Sequence, residues 1–405
     1  MTRASCVQHT SAVNAPRASQ ATGFDRAEFL WGPFGRVMAA NFAFFLNFAS
    51  FFLLPLLVKN LGGREATVGW VMGSAGVASL LTLPVVGQVI DRVSRRRLFI
   101  FGALNMAGAA LGYLLIDGIH WALFALRMWQ GVSFALAFTA STTLAAELAP
   151  AEHRGRALGW FGVSTLLTHA LAPALGEEVL HLWGFPTLFV LAAGCSLLGA
   201  ALMHRVPERR VVRENPTTNP ALPWFHYALG TVVMLFGMGF GVVTTYAASF
   251  VHAEHLGRVG AFFAAYTSSA IAVRIFAGGL SDRFGRRSVV VPALGLLGLS
   301  VAGLAAVHST AGLVAAGLLF GLAQGVAYPT MHAFLVDVSP EHVLGRAQAL
   351  FNGAFNLGVM SSAFLFGPLA DHWGQRAMFL CAASTPSVAA LLFLLLAAER
   401  EEAGR

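Results

Sequence analysis

Two short charged loops lie between apolar segments and share one order of residue types. Each combines a glycine, an aspartate and several arginines, and the second loop follows the first by 191 positions. Because about half of the chain separates them, the pattern indicates a duplicated unit. The matching residues are Gly87, Asp91, Arg92, Arg95 and Arg96 in the first loop, and Gly278, Asp282, Arg283, Arg286 and Arg287 in the second.

The aspartate of the first loop could hydrogen-bond to backbone amides. Asp91 follows an apolar run, so its carboxylate can accept from a neighbouring helix N-terminus, where the helix dipole favours an anion. Arg95 or Arg96 could then pair with Glu147, and we expect this arrangement to act as a gate. The alternative is that the arginines only mark a cytoplasmic loop, which would not explain the aspartates. In the second half the corresponding acidic residues are Asp282 and Asp337.

Two arginines fall inside apolar runs rather than between them. Arg127 is followed by Gln130, and Arg274 lies eight positions before Asp282. A charged side chain in hydrocarbon is costly, so both arginines should face the protein interior or a wet cavity. The alternatives are a snorkelling or paired structural Arg127, and an Arg274 that braces the gate.

Other polar residues form stripes on otherwise apolar segments. Residues four positions apart share a helix face, so these groups could hydrogen-bond a substrate along one wall. Bonds between helices are the alternative for each of them. The histidines of the set could also titrate near neutral pH. The set comprises two stripes, one of Gln324, Tyr328 and His332 and one of Asn352 and Asn356, together with the single polar residues Asn41 and His169 of other segments.

Composition places the chain in a membrane. Apolar residues make up 57% of 405 residues and charged residues only 11%, which a soluble protein of this size would not tolerate. The net charge is +7, yet the arginines lie between apolar segments, so lipid headgroups are a simpler partner than nucleic acid.

Twelve apolar runs are long enough to cross a bilayer, for which a helix needs about 20 residues. We therefore predict an all-α membrane protein of twelve helices in two six-helix bundles related by a pseudo-two-fold axis. The runs are 36–58, 67–90, 98–116, 121–146, 156–178, 184–204, 225–250, 259–281, 288–307, 311–336, 345–370 and 375–397.

A polar stretch rich in Arg and Pro divides the runs six from six. Twenty arginines fall on the side of the N-terminus and only four basic residues on the other, so both termini should be cytoplasmic. The predicted organisation is a tail at 1–33, a bundle at 34–204, a linker at 205–224, a second bundle at 225–397 and a tail at 398–405.

These residues resemble the major facilitator superfamily over nearly the whole chain. The charged loops resemble its motif between helices 2 and 3, although Ser94 replaces the usual glycine of the first copy. The resemblance implies that Asp91 meets the start of helix 11 near Gly345. Arg127 to Gln130 resembles a motif linked to proton handling in drug antiporters. Pro173 and Gly176 match part of an antiport motif, with glycines missing elsewhere.

The resemblance implies a secondary transporter of a bacterial inner membrane. Our first expectation is efflux of a small organic molecule by proton antiport, with protons as the coupling ion. The alternatives are a transporter of an organic anion or metal-chelating metabolite held by Arg127 and Arg274, and a facilitator or importer. We expect a monomer in the lipid bilayer that binds no nucleic acid, cofactor or metal and is not an enzyme, since no P-loop, zinc motif or nucleophile constellation appears.

Overall fold

The computed structural model describes residues 32–90, 93–149, 154–207, 222–276 and 279–403, and of residues 88, 341, 342 and 398–403 only the backbone. Ten helices within these ranges are long and apolar enough to span a membrane. Two of the ten are double, because Gly184 and Gly374 interrupt them with positive φ angles of 77° and 81°. The described residues therefore form twelve membrane-spanning helices, which confirms the predicted number.

We label the spanning helices α1 to α12. In the first half they are α1 (Pro33–Asn60, with a 3-10 turn at Phe51–Leu53), α2 (Glu65–Val89), α3 (Arg95–Leu115), α4 (Trp121–Leu148), and α5 (154–183) and α6 (185–204) within Arg154–His204. In the second half they are α7 (Trp224–Ala253), α8 (Val259–Phe276), α9 (Arg286–Leu304), α10 (Thr310–Val338), and α11 (341–373) and α12 (375–403) within Glu341–Ala403. A short helix, Leu280–Phe284, lies between α8 and α9.

Local sequence decides several helix boundaries. Ser94 caps α3 by accepting a hydrogen bond from the amide of Arg97, so α3 begins earlier than the apolar run and includes Arg95. Between α5 and α6, the predicted loop at 179–183 is wrong, because those residues continue the helix up to Gly184. A residue without a Cβ adopts the required positive φ without strain, so the chain turns at that single position.

Helices of the two halves meet along two main seams, α2 against α11 and α5 against α8. The bundle has two ends. We call the end that carries the starts of α1, α3, α5 and α7 the terminal face, and the end that carries the starts of α2, α4 and α8 the distal face. Large apolar side chains such as Leu115 and Trp121 are more than three-quarters exposed. Such exposure is the pattern of a surface that contacts lipid.

Candidate functional site

On the terminal face, an ion pair joins α3 to α4 within the first half. Nη2 of Arg95 lies 3.1 Å from Oε1 of Glu147, and both side chains are largely buried. Arg96 turns elsewhere and donates to the carbonyl of Val206, at the end of α6. Of the two pairings that the sequence allowed, the structure therefore contains the one with Arg95.

The second half carries the corresponding cluster in a more exposed form. Nε of Arg286 donates to Asp337 at 2.9 Å, and Nη1 of the same arginine donates to Asp282 and to Ser281. Arg283 lies over the ring of Phe284, with its Cζ 5.4 Å from the ring centroid. Arg287 occupies the first turn of α9. Asp91, Arg92 and Gly278 lie outside the described residues, so their roles in the gate remain predictions.

The two loops use different backbone to start the following helix. In the second copy Gly285 has a φ of 85°, a conformation that glycine adopts without strain. In the first copy Ser94 has a φ of −53° and caps α3 with its side chain. Ser94, which departs from the family pattern, therefore starts its helix with a side-chain cap, whereas Gly285 does so with a positive φ angle.

Arg127 belongs to a closed polar cluster inside the first half. Its Nη1 donates to Oε1 of Gln130 at 2.9 Å, and the hydroxyl of Tyr113 donates to the same oxygen at 3.1 Å. The guanidinium also lies over the ring of Phe51, 5.9 Å from its centroid. All of these side chains are buried. The arrangement ties α1, α3 and α4 together and leaves little of Arg127 open to a ligand.

Asn41 is also used between helices. It is fully buried, donates to the hydroxyl of Thr165 in α5 and accepts from the hydroxyl of Ser141 in α4. Of the two possibilities for Asn41, helix-to-helix bonding is the one that the structure contains.

The polar stripes of α10 and α11 meet each other. The hydroxyl of Tyr328 donates to Oδ1 of Asn352 at 3.2 Å, and Asn356 donates to the carbonyl of Asn352. The ring of His332 packs edge-on against Phe351, with centroids 5.4 Å apart. Asn352 is exposed, so this pair offers hydrogen-bonding groups at the surface of the second half.

A set of buried polar groups lacks hydrogen-bond partners, and His169, Tyr266 and Arg274 of this set lie between the two halves. His169 of α5 is packed between the ring of Phe52 in α1 and the ring of Tyr266 in α8, at centroid distances of 5.2 and 6.3 Å. Nδ1 of His169, the hydroxyl of Tyr266, Nε of Arg274 and Oε1 of Gln324 are all buried without a hydrogen-bond partner. Buried polar atoms are rarely left unpaired, so these groups mark a place where a ligand or water could bind.

On the distal face, two carboxylates hold the halves together in a symmetric way. Asp371 of α11 accepts from the backbone amides of Glu65 and Ala66 at the start of α2, at 2.8 and 3.1 Å. Glu177 of α5 accepts from the amides of Val259 and Gly260 at the start of α8, at 3.2 and 2.9 Å. Donor and acceptor positions of the two sites are related by the same offset of 194 residues. We call these two sites the distal carboxylate caps.

Further bonds reinforce the distal face. Glu65, which is buried, pairs with Lys59 at 3.0 Å and accepts from the hydroxyl of Ser249 in α7. Arg258 also pairs with Glu178 across the halves. The distal residues Glu65, Glu177 and Asp371, and Tyr266 at the interface, were not identified from the sequence. The 194-residue offset between Glu177 and Asp371 is the signal that could have found that pair.

The close packing between helix backbones along the two seams is confined to the distal part of the bundle. A Cβ on Gly69 or Gly73 of α2 would collide with α11, and one on Gly260 would collide with Ala174 of α5. Nearer the terminal face, Leu81 and Phe276 are 71% and 87% exposed. A Cβ on Gly87, Gly155, Gly279 or Gly345 would meet no atom of the described residues within 4 Å. The halves are thus packed at the distal face and diverge towards the terminal face.

These features define a class: a polytopic helical membrane protein of two repeated halves, with a polar interface closed at one end. The family model of the Major Facilitator Superfamily matches residues 37–257 and 229–405, so the chain belongs to that family of transporters.

The chain is similar to several members of this family. It is 26% identical over 367 residues to the MFS-type transporter YhhS of Escherichia coli, covering 85% of this chain and 89% of that protein. It is 25% identical over 362 residues to the multi-drug resistance efflux pump PmrA of Streptococcus pneumoniae, covering 84% and 90%. The fold matches the nucleoside transporter NupG with a TM-score of 0.72, at 16% identity, covering 90% of this chain and 99% of NupG.

Proposed function

We propose that this protein exports a small organic molecule from a bacterial cell by alternating access, with protons as the coupling ion. The terminal face would be cytoplasmic, in agreement with the excess of arginines on that side. The similarity to the PmrA efflux pump supports export as the direction.

The observation that carries the proposal is the polar interface that is sealed on one face only. The distal carboxylate caps and the packed glycines close one end, whereas the helices diverge towards the other. In this state a molecule could reach His169 and Arg274 from the terminal side. Export then requires a second state in which the distal seams open, and substrate or protons can shift that equilibrium only by binding the two states differently.

Proton coupling in this chain would not use a mid-depth carboxylate. Within the described ranges, the acidic side chains of the spanning helices lie towards the two faces, as Glu147 and Glu177 do. His169 and His332 remain candidates, because imidazole is the side chain that titrates nearest neutral pH.

The test uses purified protein in liposomes loaded with a panel of organic solutes and an internal pH dye. We expect an acidic exterior to accelerate the exit of at least one solute, with matching acidification inside. If the rate of solute exit did not depend on the pH gradient, proton antiport would be rejected and facilitated diffusion would be indicated. If no solute moved faster than in protein-free liposomes, the transport proposal itself would fail.

A further inference from the structure

Arg274 is a cation at the interface of the halves, and no carboxylate of the described residues pairs with it. A Cβ placed on Gly162 of α5 would lie 3.6 Å from Nη1 of Arg274, so the side chain reaches from α8 across to the other half. Its Nε is buried without a hydrogen-bond partner, and within the described ranges the arginine forms no ion pair. A guanidinium presents five N–H donors, so most of its binding capacity is unused.

The other arginines buried in the protein are treated differently. Arg95 has Glu147 as its counter-ion, and Arg127 is held by Gln130 and the ring of Phe51. An unpaired charge in a low-dielectric region costs free energy, which a bound anion would offset. Arg127 also has a buried Nε without a partner, but its Nη1 donates to Gln130, whereas within the described residues Arg274 makes no hydrogen bond or ion pair. Arg274 therefore has the most unused capacity for a negatively charged ligand.

The groups around Arg274 complete a site that draws on both halves. His169 faces Tyr266 across the interface, with ring centroids 6.3 Å apart, and the Arg274 side chain lies within electrostatic range of both and of Tyr328. Gln324 lies one turn from Tyr328 on the same face of α10, with its Oε1 unpartnered. Tyr266 is completely buried, and its hydroxyl has no partner. These groups provide donors and acceptors beyond the guanidinium.

The walls next to these polar groups are aromatic. Phe52 of α1 stacks on Phe263 of α8 with centroids 5.3 Å apart, beside His169. Phe240 of α7 packs on Tyr266 and on Phe320. Such walls favour a ligand with a flat apolar body, because aromatic rings prefer stacked or edge-on neighbours.

We propose that Arg274, with Tyr266, His169 and Gln324, binds the negatively charged group of an organic monoanion that has an aromatic body. This inference rests on the proposed transport function and names its substrate class. One unpaired guanidinium matches one negative charge, and the fork of its N–H groups suits a carboxylate or sulfonate. A membrane potential that is negative inside would also favour the export of such an anion.

The experiment compares three probes that differ in their head group: naphthalene-2-sulfonate, naphthalene-2-sulfonamide and 2-naphthylmethylamine. Binding to purified full-length protein is measured by calorimetry, and transport is measured in liposomes. We expect the sulfonate to bind roughly tenfold or more tightly than the sulfonamide, with the amine weakest. Arg274→Gln should abolish the preference for the sulfonate, and Arg274→Lys should keep only part of it, because lysine lacks the planar fork.

Arg64→Gln serves as the matched control, since Arg64 is exposed in the loop before α2. It should leave the sulfonate preference unchanged. The anion site is overturned if the sulfonate does not bind, if the amine binds best, or if Arg274→Gln keeps the preference. Transport of the neutral or cationic probe in those cases would leave the transport function intact. Transport of no solute at all would instead reject the transport function.

Discussion

The distal and terminal faces of the molecule use charge in opposite ways. On the distal face, Glu177 and Asp371 accept hydrogen bonds from backbone amides of the other half, so their charge joins the halves. On the terminal face, Glu147 and Asp337 pair with arginines of their own half. The difference suggests that distal bonds must break during the transport cycle, whereas these terminal ion pairs can persist through it.

The largest expected effect comes from overfilling a distal seam. Gly260→Trp should prevent α8 from approaching Ala174 of α5, because a Cβ there already collides with the backbone. Overpacking costs about 1–3 kcal/mol, so the closed distal face should lose at least about fivefold in population. Spin labels on the exposed residues Leu182 and His252 report the change as a longer distance. Gly194→Trp, at an exposed glycine of α6 with no neighbour within 4 Å, is the control.

The second prediction separates stability from gating. Glu147→Gln removes the carboxylate from a largely buried ion pair with Arg95, so we expect a loss of about 3 kcal/mol in the free energy of unfolding. The label distance across the distal face should not change. Asp337→Asn should cost less than about 1 kcal/mol, because that pair is exposed and Arg286 keeps Asp282. Equal losses in thermal unfolding would contradict this distinction.

The third prediction concerns the distal carboxylate caps directly. Glu177→Gln or Asp371→Asn removes a negative charge from a helix N-terminus. The interaction of such a charge with the helix dipole contributes about 1 kcal/mol, so each variant should lower the ratio of closed to open distal faces about fivefold. The double variant should show nearly the sum of both effects, since the sites are separate. Asp117→Asn, in the exposed loop before α4, should leave the distance distribution unchanged. A double variant with wild-type distances would show that packing alone closes the face.

The smallest effect should come from pH at the distal end of the second half. A hydrogen bond from Arg376 holds the pKa of Glu254 below its ordinary value. The stabilisation is therefore complete above the ordinary glutamate pKa and is lost as the pH falls through the lowered one. The melting temperature of Glu254→Gln should lie slightly below that of wild type at neutral pH. The two should converge as the pH falls below the lowered pKa of Glu254. A constant difference would exclude this origin.

The helices could be predicted well from the sequence, because a helix that crosses lipid needs a long apolar run. Each predicted run corresponds to a helix of the structure. Boundaries were less predictable: Ser94 starts α3 early, and Gly184 alone separates α5 from α6. Of the candidate site, the sequence offered Arg95 or Arg96 as the partner of Glu147, and the structure contains the pair with Arg95. The distal carboxylate caps could not be predicted in this way. Glu177 accepts from backbone amides 82 and 83 positions away, and every residue type except proline carries such an amide, so no residue pattern identifies the donors. Tyr266 was missed because a tyrosine in an apolar run resembles any core aromatic.

The joints at Gly184 and Gly374 have a practical consequence for labelling the protein. Since one residue turns the chain, α5 and α6 have no spare backbone between them, and neither have α11 and α12. An epitope inserted at either joint would have to be accommodated by unwinding a spanning helix. The exposed stretch around Asp117 and Gly118 has no such restriction. A tag placed there would reach the distal solution and reveal, in intact cells, which way the molecule is inserted.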